Sequence, residues 1–286
     1  MTASGGHVGV LDAGNFGSFA ITKALSITND GPGEARVTIR RADAAIYVLA
    51  GRNDRVYLRG LTIDGLEGGV VGIHFSTGAA LHIQNCTIQN FRQPSSLAAQ
   101  GIVVEAAAES EVYISDTLIA GNGDNPTFSF GLAIVPGANG SAKVALNRVQ
   151  INDNANGVLA DGSSITRRPE VIIGRPIEQV RPLGVLLTVR DSMIAGNTGI
   201  AVVARSIGFS AVLGLATRAI IDRTTLVSNG VGVLADGGRA NVRLLNSTIV
   251  ANGTGVSTLN VGHVNYDKPN TISDNRLDYG DTPSGF

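Results

Sequence analysis

The chain has 286 residues with 22 Lys and Arg against 23 Asp and Glu, so its net charge of −1 excludes a global pull toward nucleic acid or an acidic membrane. Its 37 glycines are nearly twice the usual share of about 7%, yet only 9 prolines accompany them, which excludes collagen and Pro/Gly-rich disorder. Hydrophobic residues, at 43%, suffice for a core, and no apolar run approaches the roughly 18 residues of a membrane span.

Four segments open the chain with strand character: "HVGVLDAG", "FAITKALSITNDG", "ARVTIRRA" and "AIYVLAG". The start "MTASGGHVGV" has neither the basic residues nor the apolar stretch of a secretory signal. From Leu58 onward a repeat sets in. Apolar residues five apart recur at Leu58/Ile63, Ile83/Ile88, Ile114/Ile119, Leu146/Ile151, Val189/Ile194, Ile221/Leu226 and Leu244/Ile249. An Asn follows three residues later at Asn122, Asn154, Asn197, Asn229, Asn252 and, near the end, Asn275. A Gly-aliphatic pair completes each unit, at Gly72-Ile73, Gly101-Ile102, Gly131-Leu132, Gly157-Val158, Gly199-Ile200, Gly232-Val233 and Gly255-Val256. "HVNYDKPNTISDN" carries a variant of the unit and reads as the last one.

Two short strands per unit cannot bury their apolar face alone, but stacked units can. Corner Asn residues tolerate left-handed geometry and, stacked, hydrogen-bond along the axis. Period-two alternation argues against a helical solenoid. The expected fold is all-β: a right-handed parallel β-helix of about nine to ten coils, one domain over residues 1–286. The lone Cys86 cannot form an internal disulfide and reads as a buried, inert thiol.

The segments "VLDAGNFGSFAITKALSITNDGPGEA", "LRGLTIDG", "LHIQNCTIQNF" and "NSTIVANGTGV" resemble the bacterial right-handed β-helix repeat proteins of undefined function, within the pectate-lyase-like solenoids. The resemblance covers nearly the whole chain and is most specific at "AITKALSI…DGPGEA". It implies an exported, cell-surface or secreted protein. It also implies a leader and a helix-bearing N-terminal cap ahead of "TASGGHVGVLDAG", the stretch at which this chain begins. The first coil is therefore expected to lack its cap. The wider class includes pectate lyases, polygalacturonases, alginate epimerases and phage tailspikes, but a fold alone does not carry their chemistry.

Direct signs of chemistry are few. The paired-carboxylate motifs of polygalacturonases are missing, "GHV" at Gly262-His263-Val264 has no acidic motif upstream, and His7, His74 and His82 fall on different coils. Nothing asks for a metal or a cofactor. Asp116, Arg148, Asp191 and Arg223 occupy equivalent positions and form a ladder of alternating sign, read first as register-fixing ion pairs and second as a polar ligand strip. Thr62, Thr87, Thr117, Thr225 and Thr248 fall near equivalent positions, but with Thr117 and Thr225 out of phase they do not form the flat array that ice binding requires.

The insertions hold more. The 162–187 segment carries Arg167, Arg168, Arg175 and Arg181 against Glu170 and Glu178, stiffened by three prolines. One coil later the 205–218 segment has Arg205 and Arg218 at its ends and Ile207, Phe209, Val212 and Leu213 between them. The two should lie side by side on one flank. At the other corner the 92–100 and 123–130 segments should stack likewise and expose Phe128 and Phe130 unless these fold back. Arg167, Arg168, Arg175, Glu178, Arg181, Arg205 and Arg218 are the candidate ligand residues, for the carboxylates of an acidic polysaccharide. Ile207, Phe209, Val212, Leu213, Phe128 and Phe130 are the candidate interface, for a second copy of the chain. Two functions remain open: a non-catalytic extracytoplasmic binding or structural module, or a lyase- or epimerase-like enzyme acting on an acidic glycan with an Asp, Tyr or His moving the proton.

Overall fold

A computed structural model describes residues 2–31, 33–41, 43–92, 98–164, 184–207, 216–266 and 269–281. Over these residues the chain is a right-handed parallel β-helix of ten coils. Three strands, not the expected two, make up each coil, and they build three parallel sheets of ten strands. Sheet A runs from Gly6–Gly9 to His263–Tyr266, sheet B from Gly14–Asn15 to Thr271–Ser273, and sheet C from Phe19–Ile21 to Leu277–Asp281. The corner between sheets A and B escaped notice because residues such as Arg148 and Arg223, which make it, give no turn signal, so two strands read as one. Coils are numbered 1 to 10 from the N-terminus.

The apolar pairs fix the register. Ile83 lies opposite Leu58 and Ile114 in sheet A, and Ile88 lies opposite Ile63 and Ile119 in sheet B. All six are at most 1% exposed, and their equivalents continue one apolar column through the solenoid. A slip by one residue would turn every such side chain to solvent, so the pattern holds the stacking in place.

Between sheets B and C runs the column of buried Asn residues. Asn154 Nδ2 donates to Asn197 Oδ1 at 3.0 Å, Asn197 Nδ2 to Asn229 Oδ1 at 2.8 Å, and Asn229 Nδ2 to Asn252 Oδ1 at 3.0 Å. These residues do not themselves adopt the left-handed conformation, as the sequence led us to expect. The preceding residue does: Gly121, Asp153, Gly196, Ser228, Ala251 and Asp274 have φ from 55° to 67°. The turn is made one residue early, so that each Asn side chain points along the axis instead of outward.

A second left-handed column joins sheet A to sheet B, at Gly60, Asn85, Asp116, Arg148, Asp191, Arg223 and Asn246. Arg is a poor residue for this conformation. Pairing holds it there: Arg148 Nε donates to Asp116 at 2.6 Å, and Arg223 Nε to Asp191 at 2.7 Å. The charged positions are therefore coil-to-coil ion pairs arranged as two doublets. Thr225, expected out of phase, lies in register with Thr248, which faces Thr271 on the last coil.

The Gly-aliphatic pair is also displaced at one coil. Val202, not Ile200, faces Val158 and Val233, so Ala201-Val202 replaces the expected Gly199-Ile200. Coil 7 has one extra residue at this corner, and Asn156 Oδ1 accepts the Ile200 N–H at 2.8 Å to hold it. At Gly72, Gly101, Gly157, Gly232 and Gly255 the glycine is required by proximity to backbone of the next coil. A Cβ on Gly101 would stand 2.5 Å from the Gly131 carbonyl oxygen of the next coil.

Candidate functional site

The two large insertions both leave sheet C and re-enter sheet A, so they open at one corner, and the strands Val185–Arg190 and Thr217–Asp222 begin within the spans assigned to them. Arg167, Arg168, Arg175, Glu178, Arg181, Phe209, Val212 and Leu213 lie outside the described residues. The remaining candidates do not converge. Arg205 ends its sheet C strand, and its Nε donates to Asp236 at 3.0 Å. Arg218 lies on the outer face of sheet A, in register with Leu186 and Asn241.

The expected aromatic surface is half corrected. Phe128 is 58% exposed, but Phe130 is 6% exposed and starts a sheet C strand. The Gly123–Phe130 connection is pinned down: Gln100 Nε2 donates to the Phe128 carbonyl at 2.7 Å and its Oε1 accepts the Phe130 N–H at 2.8 Å. Asn156 Nδ2 further donates to the Ser129 carbonyl. Phe130 packs with Ala133, Leu159, Val203 and Leu234 in a small apolar cluster on the outer side of sheet C. Ile207, 39% exposed, follows the end of a sheet C strand, whereas Phe128 precedes the start of one. The two therefore sit at opposite edges of the sheet and form no common patch.

The outer face of sheet A carries the densest constellation. Side chains alternate along each strand, so the residues one before each apolar anchor point outward together. This column reads Ser26, Tyr57, His82, Tyr113, Ala145, Thr188, Ile220, Arg243 and Asn265. The column two residues earlier reads Arg55, Ala80, Glu111, Lys143, Leu186, Arg218, Asn241 and His263.

Two features stand on this face. Toward the C-terminal coils lies a cavity of ≈ 460 Å³ lined by Arg218, Arg239, Arg243, Asn241 and His263 over a floor that includes Ala219 and Ile220. Its lining among the described residues includes three arginines and no carboxylate. Arg190 extends the basic surface on coil 7. It is tied to Asp222 at 3.2 Å, and Arg223 holds the same carboxylate at 2.8 Å. The Asn246 hydrogen bond, with these guanidinium groups, keeps the Asp222 carboxyl below the usual range. A chain of net charge −1 thus concentrates cations on one face.

The second feature is a ring stack on coils 3 to 5. The His82 imidazole lies between Tyr57 and Tyr113, with centroids at 4.4 and 4.8 Å and interplanar angles of 10° and 14°. Its Nε2 is buried without a hydrogen-bond partner among the described residues. Burial, aided by the nearby Arg55 charge, pushes the His82 pKa down and favours the neutral ring. Tyr113 donates its hydroxyl to Glu111 at 2.9 Å, which raises the phenol's pKa.

Elsewhere, on the outer side of sheet C, Tyr47 donates to Asp43 at 2.7 Å and packs against His74, which pairs with Glu105 at 2.9 Å. Among the described residues no three His, Cys, Asp or Glu side chains gather as metal ligands. Among the described residues no helix is long and apolar enough to cross a membrane.

The stack and the cavity are not legible from the apolar anchors or from the charged ladder, because they lie on other outward positions of sheet A. Shifting the anchor alignment by one and by three residues lines up both outward columns.

Compared by sequence, the chain matches no protein-family pattern and no curated protein. Compared by structure, it is similar to an alginate lyase from Paenibacillus sp. str. FPU-7, at a TM-score of 0.55 and 13% identity over 92% of this chain and 93% of that one. It is also similar to the A-module of the mannuronan C-5 epimerase AlgE4 from Azotobacter vinelandii, at a TM-score of 0.50 and 14% identity over 98% of this chain and 91% of that one. At these identities the likeness is one of fold.

Proposed function

We propose that this chain is an extracytoplasmic glycan-binding β-helix that holds an acidic polysaccharide against the outer face of sheet A without cleaving it. The observation that carries the reading is the cavity lined by Arg218, Arg239 and Arg243. Arg presents a planar fork of donors that matches a carboxylate with two parallel hydrogen bonds. Several such forks on a shallow surface suit a polymer carrying one carboxylate per sugar. The two proteins of similar fold are an alginate lyase and a mannuronan C-5 epimerase module, which fits an acidic sugar polymer as the ligand.

Binding is the better-supported activity. Proton abstraction beside a carboxylate needs a base within hydrogen-bond reach of the proton. Among its described lining residues the cavity offers only His263, on the last strand of the sheet, and no carboxylate or phenol beside it.

The test is titration with a polyuronate and with an uncharged polysaccharide at two salt concentrations. The expected result is binding of the polyuronate alone, weakening as salt rises, with no unsaturated chain ends appearing. Equal affinity for the uncharged polymer would refute the role of the arginines. Unsaturated ends would replace the binding module with a lyase.

A further inference from the structure

The ring stack on sheet A ends abruptly. Its column continues past Tyr113 as Ala145 and then Thr188. Adjacent coils are roughly 4.8 Å apart, so the place where a fourth ring would lie is taken up by a methyl group. Tyr113 and Thr188 therefore stand about 9.6 Å apart along the axis, with Ala145 as the floor between them. Because the Tyr113 ring is within 14° of parallel to His82, its free face is turned along the axis into this slot.

The slot's sides are polar. Tyr113 is 40% exposed and keeps its hydroxyl at the rim beside Glu111. Lys143 precedes Ala145 on the same face, with its Nζ 3.1 Å from Glu109 and 3.8 Å from Glu111. On the other side Asn147 and Ser115 face each other in register.

We infer that this slot is a saccharide subsite, in which one pyranose ring stacks its C–H face on Tyr113 above Ala145. The inference rests on the reading that the outer face of sheet A carries a glycan, and it adds a ring-recognising position to the charge-recognising cavity. Pyranose rings have apolar faces edged by hydroxyls. An aromatic face within a polar rim answers both. The partners for sugar hydroxyls are Glu111, Asn147, Ser115 and Thr188. His82 supports Tyr113 from behind.

The experiment uses the full chain, a uronate tetrasaccharide and its uncharged hexose counterpart. Affinity is read by calorimetry, and stacking by the upfield shift that the Tyr113 ring current gives to sugar C–H protons. The Ala145→Tyr variant extends the ladder and fills the slot, with Ala145→Leu as a smaller filler should the larger one fail to fold. Tyr113→Ala and the filled variant should each weaken tetrasaccharide binding about tenfold and abolish the upfield shifts, with melting temperature kept. Wild-type affinity and shifts in the filled variant would overturn the inference, while loss of binding in Arg218→Ala and Arg243→Ala would leave the proposed function standing. If wild type bound no uronate, the proposed function would fail. The uncharged sugar would then decide the subsite: upfield shifts lost in Ala145→Tyr would support it, and no shifts in wild type would overturn it.

Discussion

Asn197 sits in the middle of the buried Asn column and is 1% exposed. Its Oδ1 accepts the Asn154 N–H at 3.0 Å and the Asn154 Nδ2 at 3.0 Å. Its Nδ2 donates to the Ile151 carbonyl at 3.1 Å and to Asn229 Oδ1 at 2.8 Å. Asn197→Ala removes all four bonds and takes these partners from the Asn154 N–H, the Asn154 amide, the Ile151 carbonyl and the Asn229 Oδ1. At about 1 kcal/mol per bond the expected loss is about 4 kcal/mol. Asn275→Ala, at the half-buried last position of the column, should cost about half as much, because water can reach the freed groups. Asn197→Asp gives a sharper test. The new oxygen would face the two acceptors that Nδ2 now satisfies, so the carboxyl must keep its proton in the folded state. Its folded pKa rises above the ordinary value near 3.9, so stability is present below that pH and is lost as pH rises. Equilibrium urea unfolding followed by circular dichroism measures all three variants. A loss under about 1 kcal/mol for Asn197→Ala, or pH-independent stability for Asn197→Asp, would refute the role given to the column.

Gly101→Ala should destabilise the fold by about 2 kcal/mol or more, since its Cβ would meet backbone of the next coil and not a movable side chain; thermal melts measure this. Cys86 is buried and its thiol is pushed up to about 11, so iodoacetamide at pH 8 should label it only after denaturant is added. His82 has a pKa lowered from 6.5, so the unfolded chain takes its proton first and stability falls as pH drops through 6.5. Melting temperatures from pH 8 to pH 5 should therefore decline more steeply in wild type than in His82→Phe.

The fold was legible because its core is periodic. Leu58/Ile63 and their equivalents mark the inward positions before the Asn corner, and the Gly-aliphatic pairs mark the strand after it. The corner between sheets A and B was hidden, because Arg148 and Arg223 give no turn signal, and at coil 7 the true pair lies two places beyond Gly199-Ile200. Phe130 was misplaced because composition cannot tell a loop tip from the first residue of a strand. The site was less legible, since its residues are far apart in sequence. Arg218, Arg243 and His263 meet only when register is known, as do Tyr57, His82 and Tyr113.

The most direct measurement is a crystal structure of the chain with a bound uronate tetrasaccharide. The sugar should lie on the outer face of sheet A, with carboxylates on Arg218, Arg239 or Arg243. A tetrasaccharide bound instead to sheet B or to the Tyr47–His74 surface of sheet C would contradict the placement of function on sheet A.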